Sequence, residues 1–482
     1  MAALAAAALV TIGVASPASA GTPAASAATR TTTASAAAAT PKVSKKNAVK
    51  PLCTQPKKGM AQCFALKRID VTAHKGIQPN ATVSGYGPAE LASAYALPAN
   101  GGAGQTVAIV DAFDDPNAEA DLATYRAQFG LPACTTANGC FRKVDQRGGT
   151  SYPPPNAGWA GEISLDVDMV SAVAPAAHIL LVEADDNGND NLGASVDEAV
   201  ALGAKYVSNS YGSSYTSAPG SGEDPSEVTD GDPHYNHPGV AVVASTGDDD
   251  FGVSYPAASQ YVTAVGGTSL GVGPTNNYRF ETGWGTFRAD ASHGKWKPSP
   301  PGAFYYGGGG GTSRLFTEPS YQDGVVPSAL SDRYGGHGRV VPDVSMDGDP
   351  TTGLATGQTQ TFPDGSVKYA EARYGGTSLS SPLFAGVMAL ADQNAGFAHG
   401  FANPALYALA GTGAYRDVLP SPTRLAAVRR DFVNGVDSSK GTVLSLRTLD
   451  MDSSLRTTVG YDNVTGIGSP FGAGFIAAMA TP

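Results

Sequence analysis

The chain has 482 residues, room for one large α/β domain with extensions or for two to three average domains. Only 15% of the residues are charged, while 60 glycines and 34 prolines call for many loops and tight turns. A formal net charge of −11 and the lack of any basic reading helix argue against a nucleic-acid partner.

Residues 2–15 are nearly all small or apolar, and Ala18-Ser19-Ala20 forms a small-residue cleavage pattern, so residues 1–20 read as a secretory signal peptide. The usual basic n-region is missing, which leaves room for a start upstream of Met1. No later run is long enough for a membrane span, so the expected product is secreted and free of the membrane once the signal is removed. Residues 21–84 read as a low-complexity spacer followed, from about residue 51, by a short pro-segment with a cysteine pair and a possible strand over 64–71. The four cysteines allow three connectivities. Proximity in an exported chain favours Cys53 with Cys63 and Cys134 with Cys140, and no histidine stands at zinc spacing from either pair.

Ordered structure is expected from about Gly85, and from there the pattern alternates. A β-branched run at 106–111 precedes a helical stretch at 119–129. A helix over 162–174 leads into a strand at 178–183, and a helix over 195–202 into a strand at 206–210. Further buried strands are expected at 240–245 and 261–265. Apolar strands separated by helices predict an α/β fold, a mainly parallel sheet with helices on both faces. Active sites of such sheets gather beyond the carboxyl ends of the strands, where Asp111, Ser210 and the Gly247-Asp248 turn fall.

The run Gly375-Gly376-Thr377-Ser378-Leu379-Ser380-Ser381-Pro382 enters an apolar segment at 383–390, which places Ser378 at the start of a buried helix. A helix N-terminus offers free N–H groups and a positive dipole end to developing negative charge, although Thr and Ser are also ordinary caps. Glu162 and Asp166 lie four apart on one helical face. A helical wheel puts Ser164, Asp168 and Ser171 on the solvent side and aligns the two acids with Met169 and Val173, facing inward. Buried like charges share a proton, and general acid–base chemistry is the task that suits them. Ser378 as nucleophile needs a base, and none of His74, His178, His234, His237, His293, His337 and His399 stands in a motif typical of one. The base role falls to Glu162, oriented by Asp166. Asp248 follows a buried strand; kept protonated by desolvation, it can donate a hydrogen bond to an oxyanion.

Together these residues resemble the sedolisins, serine-carboxyl peptidases with a subtilisin-like fold. The resemblance covers roughly residues 85–482. It rests on Glu162-x-x-x-Asp166, Ser245-Thr246-Gly247-Asp248 and Gly376-Thr377-Ser378-x-x-x-Pro382, flanked by the glycine run at 307–311 and by Arg339-x-x-Pro342-Asp343. It implies a triad of Ser378, Glu162 and Asp166, with Asp248 in the oxyanion hole and activity in the acid range. It also implies that Ser210, Tyr211 and Gly212 bind substrate backbone as an added strand. A C-terminal calcium (Ca2+) site is implied at Asp417, Val418, Thr458, Gly460 and Asp462, with Asp431 and Phe432 as alternatives for the first pair. The expected protein is a monomer acting on protein or peptide substrates. Sedolisins usually carry a long prodomain, whereas fewer than 70 residues separate the expected signal cleavage from the catalytic region here. Two rival readings remain: a subtilisin proper, with Asp111 as triad aspartate but no suitable histidine, and a binding protein on an inactive scaffold. No H-E-x-x-H ligand set speaks for a metalloprotease.

Overall fold

The computed structural model describes residues 49–54, 56–68, 85–213, 223–362, 365–432, 441–451 and 454–481. The expected signal peptide and most of the spacer lie outside the described residues, as does His74.

The β-branched runs form one sheet in which Thr106–Ala112 is an interior strand. This strand pairs in parallel with His178–Ala184 on one side and Tyr206–Asn209 on the other. Phe141–Asp145 extends the first side, and Ala241–Ser245 and Thr263–Val272 extend the second, all in parallel. Val344–Asp347 adds in parallel to Thr263–Val272, and Tyr278–Gly283 closes that side antiparallel. Alternate residues of each strand face opposite ways, so each face has its own core. Val107 and Ile109 pack in the cluster of helices Ala157–Val173 and Thr377–Ala395. Ala108 and Val110 pack in the cluster of Leu192, Val196 and Ala199, from the helix Asn189–Ala201. The chain order reverses direction at Thr106–Ala112, and the neighbouring strand ends open a crevice there.

Two expectations need correction. The helix expected over 162–174 starts at Ala157, because the Asn156 side chain accepts from the N–H groups of Gly158 (2.9 Å) and Trp159 (3.2 Å). That helix also has no solvent face: Ser164, Asp168 and Ser171 are all buried. Helix Ala118–Gln128 and the hairpin Leu354–Thr361/Val367–Gly375 cover that side. Asp168 accepts from the Thr356 hydroxyl, and Ser171 accepts from Arg126 Nη1 at 2.9 Å.

The glycine run at 307–311 lies in the strand Ala303–Thr317 and backs the Asp248 turn. Gly309 N–H donates to the Gly247 carbonyl (2.6 Å) and Gly307 N–H to the Asp248 carbonyl (3.1 Å). A Cβ on Gly309 would collide with the Thr246 carbonyl, so the backbones meet only without a side chain. On the far side of the sheet edge, Arg339 and Asp343 form a fully buried, bidentate ion pair (3.0 and 2.7 Å). Asp343 also accepts from Ala264 N–H (2.7 Å) and the Tyr407 hydroxyl (2.8 Å). Removing one partner of such a pair strands the other charge in a dry interior. We expect Asp343→Ala to lower the unfolding free energy in urea by about 3–5 kcal/mol.

Candidate active site

Ser378 is the second residue of the helix Thr377–Ala395 and is fully buried. The helix is capped from another element rather than by its own side chains. Asp248 Oδ1 accepts from Thr377 N–H (2.8 Å) and from the Thr377 hydroxyl (3.0 Å), and that hydroxyl accepts in turn from Gly247 N–H (2.9 Å). An acid at a helix N-terminus satisfies free donors and meets the positive dipole end. Gly376 precedes the helix at φ 104°, a conformation that favours glycine.

The two helix acids meet this serine from Ala157–Val173. Glu162 and Asp166 are fully buried, and burial pushes both carboxyls well above the usual range. For Glu162 the next influence is the Asp166 charge, which raises it further; the Ser378 hydroxyl and Ala65 N–H act in the opposite direction. Asp166 is raised by Asp111 after burial, and the Ser210 hydroxyl opposes this. Asp111, at the end of its strand, is itself raised by burial and then by Glu162 and Glu183. Asp248 is raised by burial against its bonds to Thr377, and its Oδ2 has no hydrogen-bond partner. No basic side chain figures among the influences on these four acids.

The described histidines are engaged elsewhere or lie away from the serine. His234 and His237 bond Asp197, His399 bonds Asp392, and His337 pairs with Glu318 and Asp332. His293 bonds Ser292, and His178 sits exposed at a strand start.

Strand Tyr211–Ser213 lies beside Ser378 and pairs antiparallel with Ala61–Cys63 of the chain's own N-terminal segment. Ser378 Oγ donates to the Ser210 carbonyl (3.1 Å) and accepts from Phe64 N–H (3.1 Å). Cys53 joins Cys63, and Cys134 joins Cys140, with Cα–Cα separations of 5.4 and 4.8 Å. The strand expected over 64–71 is Leu66–Arg68, and residues 69–71 lie outside the described residues.

The two C-terminal loops expected to hold calcium touch one another. Asp417 Oδ2 accepts from Gly460 N–H (3.0 Å), and Asp462 Oδ2 accepts from Thr458 N–H (3.0 Å). Val418 is buried next to Asp417. Asp462 is buried, and desolvation pushes it up to about 6 against several backbone N–H bonds. The alternative residue Asp431 is committed to Arg288 (3.1 Å) and Arg447 (2.9 Å). No group of three or more His, Cys, Asp or Glu residues poised for a metal occurs among the described residues.

Sequence reasoning left three features of the site unassigned. The sequence places Asp111 at a strand end and gives it a role only in the rival subtilisin reading, and it does not show the Thr377 link to Asp248 or the position of Phe64-Ala65. The cysteine spacing around residues 53–63 was the available signal for the last.

A profile of the subtilase family matches residues 154–406. Kumamolisin of Bacillus sp. (strain MN-32) is 30% identical over 436 residues, covering 86% of this chain and 67% of kumamolisin. Xanthomonalisin of Xanthomonas sp. (strain T-22) is 26% identical over 441 residues, covering 82% of this chain and 46% of that protein. The chain thus spans about two thirds of the first relative and under half of the second. The solved structure of Pseudomonas sedolisin, a serine-carboxyl proteinase complexed with two molecules of pseudo-iodotyrostatin, superposes with a TM-score of 0.59 at 23% identity. It covers 82% of this chain and 98% of that one, and it shares the subtilisin-like fold. The chain belongs to the subtilase family and, within it, to the sedolisins, and it is a serine-type peptidase.

Proposed function

We propose that this chain is a secreted, acid-acting serine-carboxyl peptidase with Ser378 as nucleophile. The observation that carries the reading is the convergence of three desolvated carboxyls, Glu162, Asp166 and Asp248, at one buried serine, with none of the described histidines bonded to it. Glu162 takes the proton of Ser378 Oγ as the hydroxyl adds to the substrate carbonyl, and it then returns that proton to the leaving amine. Asp166 holds Glu162 by sharing its environment and resisting a second negative charge. Asp248, neutral because it is buried, turns its free Oδ2 to the developing oxyanion while Thr377 fixes Oδ1. Ser210, Tyr211 and Gly212 receive the substrate backbone as an added strand. Two disulfides and the signal-like residues 1–20 support export.

The mechanism sets the pH dependence. The raised pKa values keep Asp248 protonated and one proton on the Glu162 pair at acid pH, so activity falls as pH rises through those values. Hydrolysis of denatured casein at about pH 4 should drop roughly 10³-fold or more in Ser378→Ala; equal rates would sink the assignment. Asp248→Ala should lose about 10²-fold in kcat. Asp248→Asn keeps a donor that never ionises, so its basic limb should move to higher pH.

Stability follows the same sign. Acids with raised native pKa values bind more protons folded than unfolded, so their contribution is complete below about pH 4 and fades as pH rises through the native values. Asp115 and Asp232 (each about 6), with Glu183 and Glu227 (each about 8), add to the four site acids. Urea unfolding should give a lower free energy at pH 7 than at pH 4.

Asp417 and Asp462, with the carbonyls of Val418, Thr458 and Gly460, form an all-oxygen donor set that fits calcium, and the buried Asp462 lacks a compensating cation among its influences. Bound calcium would supply charge compensation that pins the C-terminal loop to the sheet, away from the reacting atoms. At a hundredfold excess over Kd, calcium should stabilise by about 2.7 kcal/mol. An unchanged melting temperature in chelator, or in Asp462→Ala, would remove the site.

A further inference from the structure

Residues 61–68 run along the cleft and mark where a peptide backbone fits. Ala61–Cys63 pairs with Tyr211–Ser213, and Phe64 N–H reaches the Ser210 carbonyl at 3.3 Å. The Phe64–Ala65 bond lies beside Ser378: Phe64 N–H is 3.1 Å from Ser378 Oγ, and Ala65 N–H donates to Glu162 Oε2 at 2.9 Å. Beyond that bond the backbone changes partner. Leu66 and Lys67 pair antiparallel with Gly375 and Tyr374, at the end of the strand that leads into the Ser378 helix. The cleft thus has a second backbone acceptor, on the side from which the amine half of a cut peptide departs.

Successive side chains on this side turn opposite ways. Lys67 Nζ reaches Gln360 Oε1 (2.8 Å) and lies 5.5 Å from the centre of the Tyr374 ring. Leu66 turns toward the other sheet and is buried in a cluster with Trp284, Tyr305 and Tyr306. The two tyrosines are consecutive in the strand Ala303–Thr317, and in a regular pleat only one of them could face Leu66. A β-bulge brings both. The facing strand pairs Thr286 with Tyr306 and Phe287 with Phe304, which leaves Tyr305 as the extra residue. Tyr305 is fixed from behind by the guanidiniums of Arg288 and Arg447, 5.2 and 4.8 Å from its ring centre, and both arginines pair with Asp431. Trp284 is held through its backbone, donating to the Gly267 carbonyl (3.2 Å) and accepting from Gly308 N–H (2.9 Å). The aromatic cage is therefore built on the same strand that backs the Asp248 turn.

We propose that this cage is the pocket for the second substrate residue beyond the scissile bond, and that it selects a large apolar side chain there. The inference rests on the role given above to Ser378 and names the class of peptide that its site takes. Tyr374 and Gly375 hold the backbone of the leaving half, and Trp284, Tyr305 and Tyr306 enclose its second side chain. Leu66 shares the cage with Val49, whose N–H donates to the Tyr305 hydroxyl at 2.9 Å. A peptide in place of residues 49–68 brings no counterpart of Val49, so methionine and phenylalanine fit the pocket as well as leucine does. Alanine leaves the rings without contact, and a charged side chain loses its water there. The third residue, which turns to Gln360 and the face of Tyr374, is under no such demand.

The test uses fluorogenic peptides at about pH 4 that keep Phe-Ala around the bond, as in Phe64-Ala65, and vary the second residue beyond it. Product masses fix the point of cleavage. We expect kcat/KM for leucine, methionine and phenylalanine to exceed that for alanine by about tenfold or more, with lysine below alanine. Leucine moved to the first or third position should not give this gain. Tyr305→Ala should abolish the preference for leucine over alanine, whereas Tyr305→Phe, which keeps the ring, should retain it. The wild-type series decides the matter if Tyr305→Ala does not fold. Equal rates for leucine and alanine, the same gain from the first or third position, cleavage of the leucine peptide at another bond, or an unchanged preference in folded Tyr305→Ala would overturn the pocket while leaving the role of Ser378 standing. Peptides cut equally by Ser378→Ala, or a wild-type chain that cuts neither these peptides nor casein, would overturn both.

Discussion

Four carboxyls buried at the carboxyl edge of a parallel sheet, with no described cation among the influences on them, set the terms for the rest of this structure. Ionised, each would carry a desolvation cost of several kcal/mol even after relaxation. Asp111, Glu162, Asp166 and Asp248 therefore hold protons well above the ordinary carboxylate range, and mutual repulsion among the first three adds to burial. The surrounding fold keeps them dry. Helix Ala157–Val173 is buried on every side from Trp159 onward, and the glycine run in Ala303–Thr317 brings backbone against the Asp248 turn where any side chain would intrude.

The serine's position depends on the same acids. Asp248 holds the first turn of the helix Thr377–Ala395 through one oxygen and leaves the other unbonded within the cleft. One neutral acid thus joins a structural duty, fixing the helix end, to the proposed duty of stabilising an oxyanion. A carboxylate could do the first but not the second. This division of the two oxygens ties the acid-range reading to backbone geometry as well as to desolvation.

The central sheet was legible because its strands are uninterrupted apolar runs such as Val107-Ala108-Ile109-Val110, whose only stable place is between two layers. Glu162 and Asp166 were legible because their helix offers no cation and they align with Met169 and Val173. The wheel failed on the opposite face, where Ser164, Asp168 and Ser171 look like a solvent side. It assumes that a helix with polar residues keeps one side wet, and here a hairpin with polar positions such as Thr356 and Gln358 supplies hydrogen-bonding cover instead. The docking of the N-terminal segment was illegible for a different reason. Ala61–Cys63 and Leu66–Arg68 are three residues each, too short for a periodic signal, and what fixes them is pairing with strands far along the chain.

The proposed carboxyl catalysis makes an unusual demand on the resting state. A histidine base keeps a usable pKa in water, whereas these acids owe theirs to the exclusion of water. An open cleft would hydrate Glu162 and Asp248, lower their pKa values and release the protons that the proposed mechanism needs. Something must fill the cleft for the acids to stay poised. In the resting chain Phe64 and Ala65 fill it, leaving Ser378 without solvent exposure and Glu162 in contact with an amide N–H. A bound substrate strand on Tyr211–Ser213 would restore the same dry environment at the moment of reaction. Desolvation, strand pairing and proton affinity are thus coupled, and on the proposed mechanism the binding of a peptide backbone is itself what prepares the acids.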